Sequence, residues 1–140
     1  MGLFSKVPLD DDFDRALHDG ANNSVRKSIA KAQPFIREIL LPGEQLDLVF
    51  YESYTGSQTV VVTDQRLLVI RNTFGGGRPK ELMHACTPAD LRGARFGGTD
   101  TGSFVVLLQF HRALATVKFS THLAAMTLTQ AVNDLQATAG

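Results

Sequence analysis

The chain has 140 residues, enough for one ordinary domain that buries about two-thirds of its unfolded surface without staples. Hydrophobic residues make up 44% and charged residues 20%, which excludes a wholly disordered or low-complexity chain. Fourteen basic residues balance fourteen acidic ones, which argues against nucleic acid as a partner, and the single Cys86 excludes an internal disulfide or a multi-cysteine zinc site.

No membrane or export segment is visible. The longest apolar runs, residues 67–70 and 104–108, fall far short of the ~20 residues that a transmembrane helix requires. The N-terminus turns acidic at Asp10 before an apolar signal core could form. A reducing cytoplasm is the expected setting.

Residues 1–40 read as a helical extension. Phe13, Ala16 and Leu17 share one helical face, preceded by the acidic run Asp10-Asp11-Asp12 and followed by His18-Asp19-Gly20. Acidic side chains at a helix start complement its partial positive charge, so the aspartates are explained as a helix entry. A second helix follows, capped by Ser24, with Val25, Ile29, Ala32, Ile36 and Ile39 in helical spacing. Pro34 predicts a kink or break near Gln33, and Leu41-Pro42-Gly43 ends the helix.

Residues 41–140 switch to the period of strands. Seven β-rich runs, at 46–54, 59–63, 66–72, 81–86, 92–96, 103–110 and 115–119, are separated by short turns bearing Gly, Pro or Asp. A final helix, capped by Ser120 or Thr121, carries Ala124, Leu128, Ala131 and Leu135, with Leu123 and Val132 widening its apolar stripe. Such a helix suits the end of a small barrel.

Seven strands and one terminal helix is the element order of the pleckstrin-homology fold. The run Thr59-Val60-Val61-Val62-Thr63-Asp64-Gln65-Arg66-Leu67-Leu68-Val69-Ile70 resembles a hairpin of bacterial pleckstrin-homology-like (YokE-like) domains. Leu40-Leu41-Pro42-Gly43-Glu44 resembles the approach to that domain, and Thr87-Pro88-Ala89-Asp90-Leu91 resembles the link between its sheets. The resemblance covers about residues 36–137 and implies a mainly β chain with α: a seven-stranded antiparallel β-barrel or orthogonal sandwich capped by the last helix. Function is then expected to be non-catalytic binding or assembly, with no cofactor. The Thr63-Asp64-Gln65-Arg66 motif also has a local account. Asp64-Gln65 is a two-residue hairpin turn, across which Thr63 and Arg66 face each other, so these residues read as structural.

Signs of catalysis are lacking. His18, His84, His111 and His122 are scattered without metal-ligand spacing, and Cys86 reads as a buried structural cysteine. The run Gly75-Gly76-Gly77-Arg78-Pro79-Lys80 has no Ser or Thr after its lysine and lies between two strands, so it reads as a hairpin loop rather than a phosphate loop. In pleckstrin-homology domains that bind inositol phosphates, the ligand sits among the loops after strands one, three and six. By that resemblance Arg71, Arg78, Lys80, His111 and Arg112 are candidates for an anion or a lipid headgroup, although the first loop carries no basic residue.

A second feature concerns partners. The runs 67–70 and 104–108 do not alternate with polar residues, so both faces of these strands are expected to be covered. The cover is either the N-terminal helices, through Ile29, Ile36 and Ile39, or a second subunit. The expected partner is a protein or another copy of the chain, with Leu3, Phe4, Phe13 and Leu17 as apolar anchors. An anionic membrane surface met through Arg78, Lys80 and Arg112 is the alternative.

Overall fold

The computed structural model describes residues 9–20, 26–52, 56–73, 78–98 and 102–139. Two helices, α1 (Asp11–Asp19) and α2 (Arg26–Ile39), precede four strands, β1 (Leu46–Tyr51), β2 (Gln58–Thr63), β3 (Leu67–Asn72) and β4 (Pro79–Cys86). A 3-10 turn at Pro88–Asp90 leads into β5 (Leu91–Gly98), β6 (Phe104–Phe110), β7 (Leu114–Phe119) and α3 (His122–Ala137). All pairings are antiparallel between chain neighbours, giving one sheet ordered β1-β2-β3-β4 and another ordered β5-β6-β7.

The apolar run in β3 is divided between two cores. Leu67 and Val69 face inward to a cluster with Phe50, Val106, Leu108, Phe119 and the α3 residues Leu128 and Val132. Leu68 and Ile70 face the other way and pack with Phe13, Leu17, Ile29, Ile36, Val49 and Val61. The helices α1 and α2 therefore cover the outer face of the first sheet. Arg37 of α2 ties them together, bonding Asp10 at 2.8 Å and Asp12 at 2.6 and 2.9 Å while its guanidinium lies 4.7 Å over the Phe13 ring. The aspartates at the start of α1 thus serve helix–helix pairing. Asp10 makes no side-chain cap bond to α1.

Three expectations are corrected. The sheets do not close into a barrel: among the described residues no ladder joins β1 to β7 or β4 to β5. At the first seam side chains bridge the gap instead, with Glu52 accepting from the Lys118 amide at 2.6 Å and Gln58 donating to the Thr116 carbonyl at 2.6 Å. At the second, the Thr87–Asp90 turn redirects the chain, Asp90 accepting from both the Thr87 amide and hydroxyl. Second, α2 continues through Pro34 to Ile39 without a break; its buried face, Ile29, Ala32 and Ile36, holds residues on both sides of the proline against one sheet. Third, Leu123 does not widen the buried stripe of α3 but is 62% exposed, whereas Val132 is buried. The cap of α3 is Thr121, which accepts from the Ala124 amide; the expected cap of α2, Ser24, lies outside the described residues, as do Gly75, Gly76 and Gly77.

Candidate functional site

The two apolar runs meet different fates. Among the described residues no helix lies over the outer face of the β5–β7 sheet, and there Val105 and Leu107 of β6 remain half-buried. The N-terminal helices therefore supply the expected outer cover at β3, whereas at β6 no helix among the described residues supplies it. Register places Arg95 beside Leu107 and Lys118 beside Val105 on that open face, with Gly97 opposite Val105 and Thr116 opposite Leu107. Residues 91–120 hold Arg92, Arg95, Arg112 and Lys118 against the single acidic residue Asp100. Arg26, Arg37, Arg66 and Arg71 each pair with a carboxylate, whereas no ion pair among the described residues involves Arg92, Arg95, Arg112 or Lys118, nor Arg15 or Arg78 elsewhere in the chain. The result is a sheet face with an apolar centre and unmatched positive charge.

One end of this sheet is indented. Arg92, Gln109, Phe110, Arg112, Ala113 and Leu114 line an open cleft of about 580 Å3 between the start of β5 and the β6–β7 turn. The turn is fixed by the His111 amide, which donates to the Asp90 carbonyl at 2.8 Å. Arg92 donates to the Ala89 carbonyl at 3.2 Å and lies 2.6 Å from His111 Nδ1. An arginine can only donate, so this imidazole nitrogen is the acceptor and the His111 proton sits on Nε2. Behind the cleft, His84 packs on Phe110 with ring centroids 4.7 Å apart.

The free edge of β5 is closed by a side chain. The Asn133 amide of α3 accepts from the Ala94 N–H at 3.0 Å and donates to the Ala94 carbonyl at 3.2 Å, as a neighbouring strand would. Gly93 beside it is required by its backbone, which has φ +126°, rather than by space, since a Cβ there would meet Asn133 Oδ1 at an ordinary 3.5 Å.

The Thr63-Asp64-Gln65-Arg66 motif is structural, as its turn chemistry implies. The Thr63 hydroxyl accepts from the amides of Gln65 (3.1 Å) and Arg66 (2.9 Å), and donates to Glu44 Oε2 at 2.6 Å. Arg66 then grips the same carboxylate through both oxygens, at 2.7 and 2.8 Å, and donates to the Ile39 carbonyl at 2.9 Å. Leu40-Leu41-Pro42-Gly43-Glu44 and Thr63-Asp64-Gln65-Arg66 are therefore halves of one clasp between the end of α2 and the β2–β3 hairpin. Burial alone would raise the Glu44 pKa, but the bonds from Arg66, Thr63 and the Leu41 amide outweigh it and bring the carboxyl to about 2.

The residues expected to form sites separate. Arg71 pairs with Glu81 across the β3–β4 ladder; Arg78 and Lys80 are exposed beside it. His111 and Arg112 belong to the β6–β7 turn, whose contacts run to Asp90 and Arg92 rather than to that group. Phe13 and Leu17 are fully buried under α1 and so unavailable as anchors for a partner; Leu3 and Phe4 lie outside the described residues. Arg92, Arg95 and Lys118 were missed by motif reading. Strand alternation carried a signal for the last two, because it places both beside the outward residues of β6. Cys86 is buried, and burial, followed by the nearby Asp90 charge, pushes its thiol pKa up, the opposite of what a nucleophile needs.

No family model and no curated protein matches the chain. Among solved structures it is similar to a pleckstrin homology domain from Shewanella amazonensis, with TM-score 0.54 and 14% identity over 74% of this chain and 94% of that one. It is also similar to a DUF1696 family protein with a pleckstrin-homology domain from Shewanella loihica, with TM-score 0.53 and 14% identity over 74% of this chain and 88% of that one. With the two antiparallel sheets and the C-terminal helix, these likenesses define a pleckstrin-homology-like fold. No described helix is long and apolar enough to cross a membrane.

Proposed function

We propose that the chain is a non-catalytic binding module of the bacterial pleckstrin-homology-like, YokE-like type, working in the cytoplasm, and that it docks an acidic protein surface on the open face of its β5–β7 sheet. The observation that carries this reading is the pairing of Val105 and Leu107 with Arg95 and Lys118, which have no ion-pair partner among the described residues, on a face that no described helix covers. An apolar centre rimmed by charge is the ordinary anatomy of a protein contact. The charge selects an acidic partner and raises the rate of encounter. The complete burial of Phe13 and Leu17 supports moving the contact away from α1.

A photo-crosslinking residue at Thr116, exposed on β7 opposite Leu107, tests the reading against one at Lys31 on the exposed side of α2. Discrete protein adducts from Thr116, lost on Arg95→Glu/Lys118→Glu, are expected. Adducts from Lys31 alone would sink the proposal. If the Thr116 adduct has twice the mass of the chain, the acidic surface belongs to a second copy, and sedimentation at low and high salt shows the same association. Flotation on anionic vesicles that depends on Arg95 and Lys118, without protein adducts, overturns the protein reading in favour of a membrane surface.

A further inference from the structure

We infer that the cleft between the start of β5 and the β6–β7 turn is a binding site for a small oxyanion, a carboxylate or a phosphate, that carries an apolar group. This site lies at one end of the sheet that carries the docking face, but its lining includes none of Val105, Leu107, Arg95 and Lys118, and the inference does not rest on that reading. Three observations converge on it. The cleft holds about 580 Å3, inside the ~300–1,000 Å3 typical of small-molecule sites. Two guanidinium groups, Arg92 and Arg112, line it, and among the described residues neither has a carboxylate partner. Its remaining wall is Phe110, Ala113 and Leu114, with the Gln109 amide between the two kinds of surface.

Arg92 is also held in place before any ligand arrives. Its bonds run to the Ala89 carbonyl and to His111 Nδ1, which are neutral acceptors. They orient the guanidinium without cancelling its charge, so an incoming anion meets an ordered donor at little entropic cost. Leu114 is 62% exposed at the mouth, a position that costs apolar surface unless something covers it. An arginine pair matches the flat or trigonal face of an oxyanion, and the Phe110–Leu114 wall matches a ring or short alkyl group.

The test is an NMR titration of the full chain with phenyl phosphate, benzoate, inorganic phosphate and uncharged benzyl alcohol. Saturable shifts are expected at the Leu114 methyls and at the Gln109 and Ala113 amides, strongest for phenyl phosphate or benzoate. Affinity should fall by about tenfold or more in Arg92→Gln/Arg112→Gln, because two charge-assisted contacts are lost. It should be unchanged in Arg78→Gln/Lys80→Gln at the β3–β4 loop. Arg92→Lys keeps the charge but loses the fork, and is expected to fall between the two. Circular dichroism confirms that each variant folds, as exposed side chains predict. Absence of saturation, equal response to benzyl alcohol, or equal affinity in the double glutamine variant overturns the site. Vesicles containing anionic lipid form a second arm: binding there that needs Arg92 and Arg112 assigns the oxyanion to a headgroup, and binding of soluble compounds alone assigns it to a free ligand.

Discussion

Replacing Glu44 by glutamine probes the clasp between α2 and the β2–β3 hairpin. The carboxylate is fully buried, with 0% side-chain exposure, and Arg66 keeps 12%. Its pKa falls from an ordinary 4.5 to about 2 in the fold. At about 1.4 kcal/mol per unit this is worth about 3 kcal/mol of stability. A folded-state pKa below the unfolded one contributes stability that is fully present above the unfolded value and is lost as pH falls toward the folded value. The window therefore runs from 4.5 down to about 2. Glutamine preserves shape, removes the charge and leaves the Arg66 guanidinium without its counter-ion, so a loss of about 3–5 kcal/mol is expected near neutral pH. The chain has no tryptophan, so urea unfolding is followed by far-UV circular dichroism. The measurement is made at about pH 7 and about pH 3, and the difference between parent and variant should shrink at the lower value. Taking that difference removes the contribution of Asp12 and Asp14, whose pKa values are also lowered by arginine partners. A variant within about 0.5 kcal/mol of the parent at neutral pH, or an unchanged difference at low pH, refutes the reasoning. Glu44→Gln/Arg66→Met should recover part of the loss, because no unpaired charge is left buried.

Phe13→Ala should destabilise by about 3–5 kcal/mol in urea unfolding, because the ring is fully buried between α1 and the first sheet. Its adducts or affinities measured on the β5–β7 face should not change while the chain is folded. Asn133→Ala removes both bonds to the Ala94 backbone; a loss of about 1–3 kcal/mol and faster hydrogen exchange at the Ala94 amide are expected. Gly93→Ala places a side chain at φ +126° and should destabilise by more than about 1 kcal/mol in thermal melts. Cys86 should react with iodoacetamide at about pH 8 far more slowly than a free thiol and gain the ordinary rate in urea, since burial raises its pKa and hides it.

Much of the fold was legible because local periodicity reports burial. The helical spacing of Ile29, Ala32 and Ile36 and the seven β-rich runs correspond to observed elements, and the unbroken 67–70 run implied a strand covered on both faces; the inner core covers one face and, of the two covers left open for the other, the N-terminal helices are present. What escaped depends on contacts between distant residues. Whether the sheets close is decided by Glu52 and Gln58 reaching β7, which no local pattern records. The pairing of Glu44 with Arg66 joins two motifs that were visible only as separate stretches. At 104–108 the same run logic left the cover open between the helices and a second subunit, and no described helix lies over the half-buried Val105 and Leu107. For the candidate sites, Arg112 was named for a loop cluster, yet its cleft is shared with Arg92, whose role depends on a turn fixed by Asp90 and His111.

The outer face of the second sheet belongs to a segment whose charge the rest of the chain balances only diffusely. Residues 91–120 carry four Lys and Arg against one aspartate, while residues 10–40 carry six Asp and Glu against five Lys and Arg, with Asp10, Asp12 and Asp14 paired to Arg37 and Arg26 inside the helix layer. A net charge of zero therefore conceals one basic patch with no acidic patch of equal strength opposite it. Such a molecule would be retained on a cation exchanger at a pH where its net charge vanishes. Near an acidic body within about 10 Å, the Debye length at moderate salt, the patch would turn the sheet face inward before contact is made.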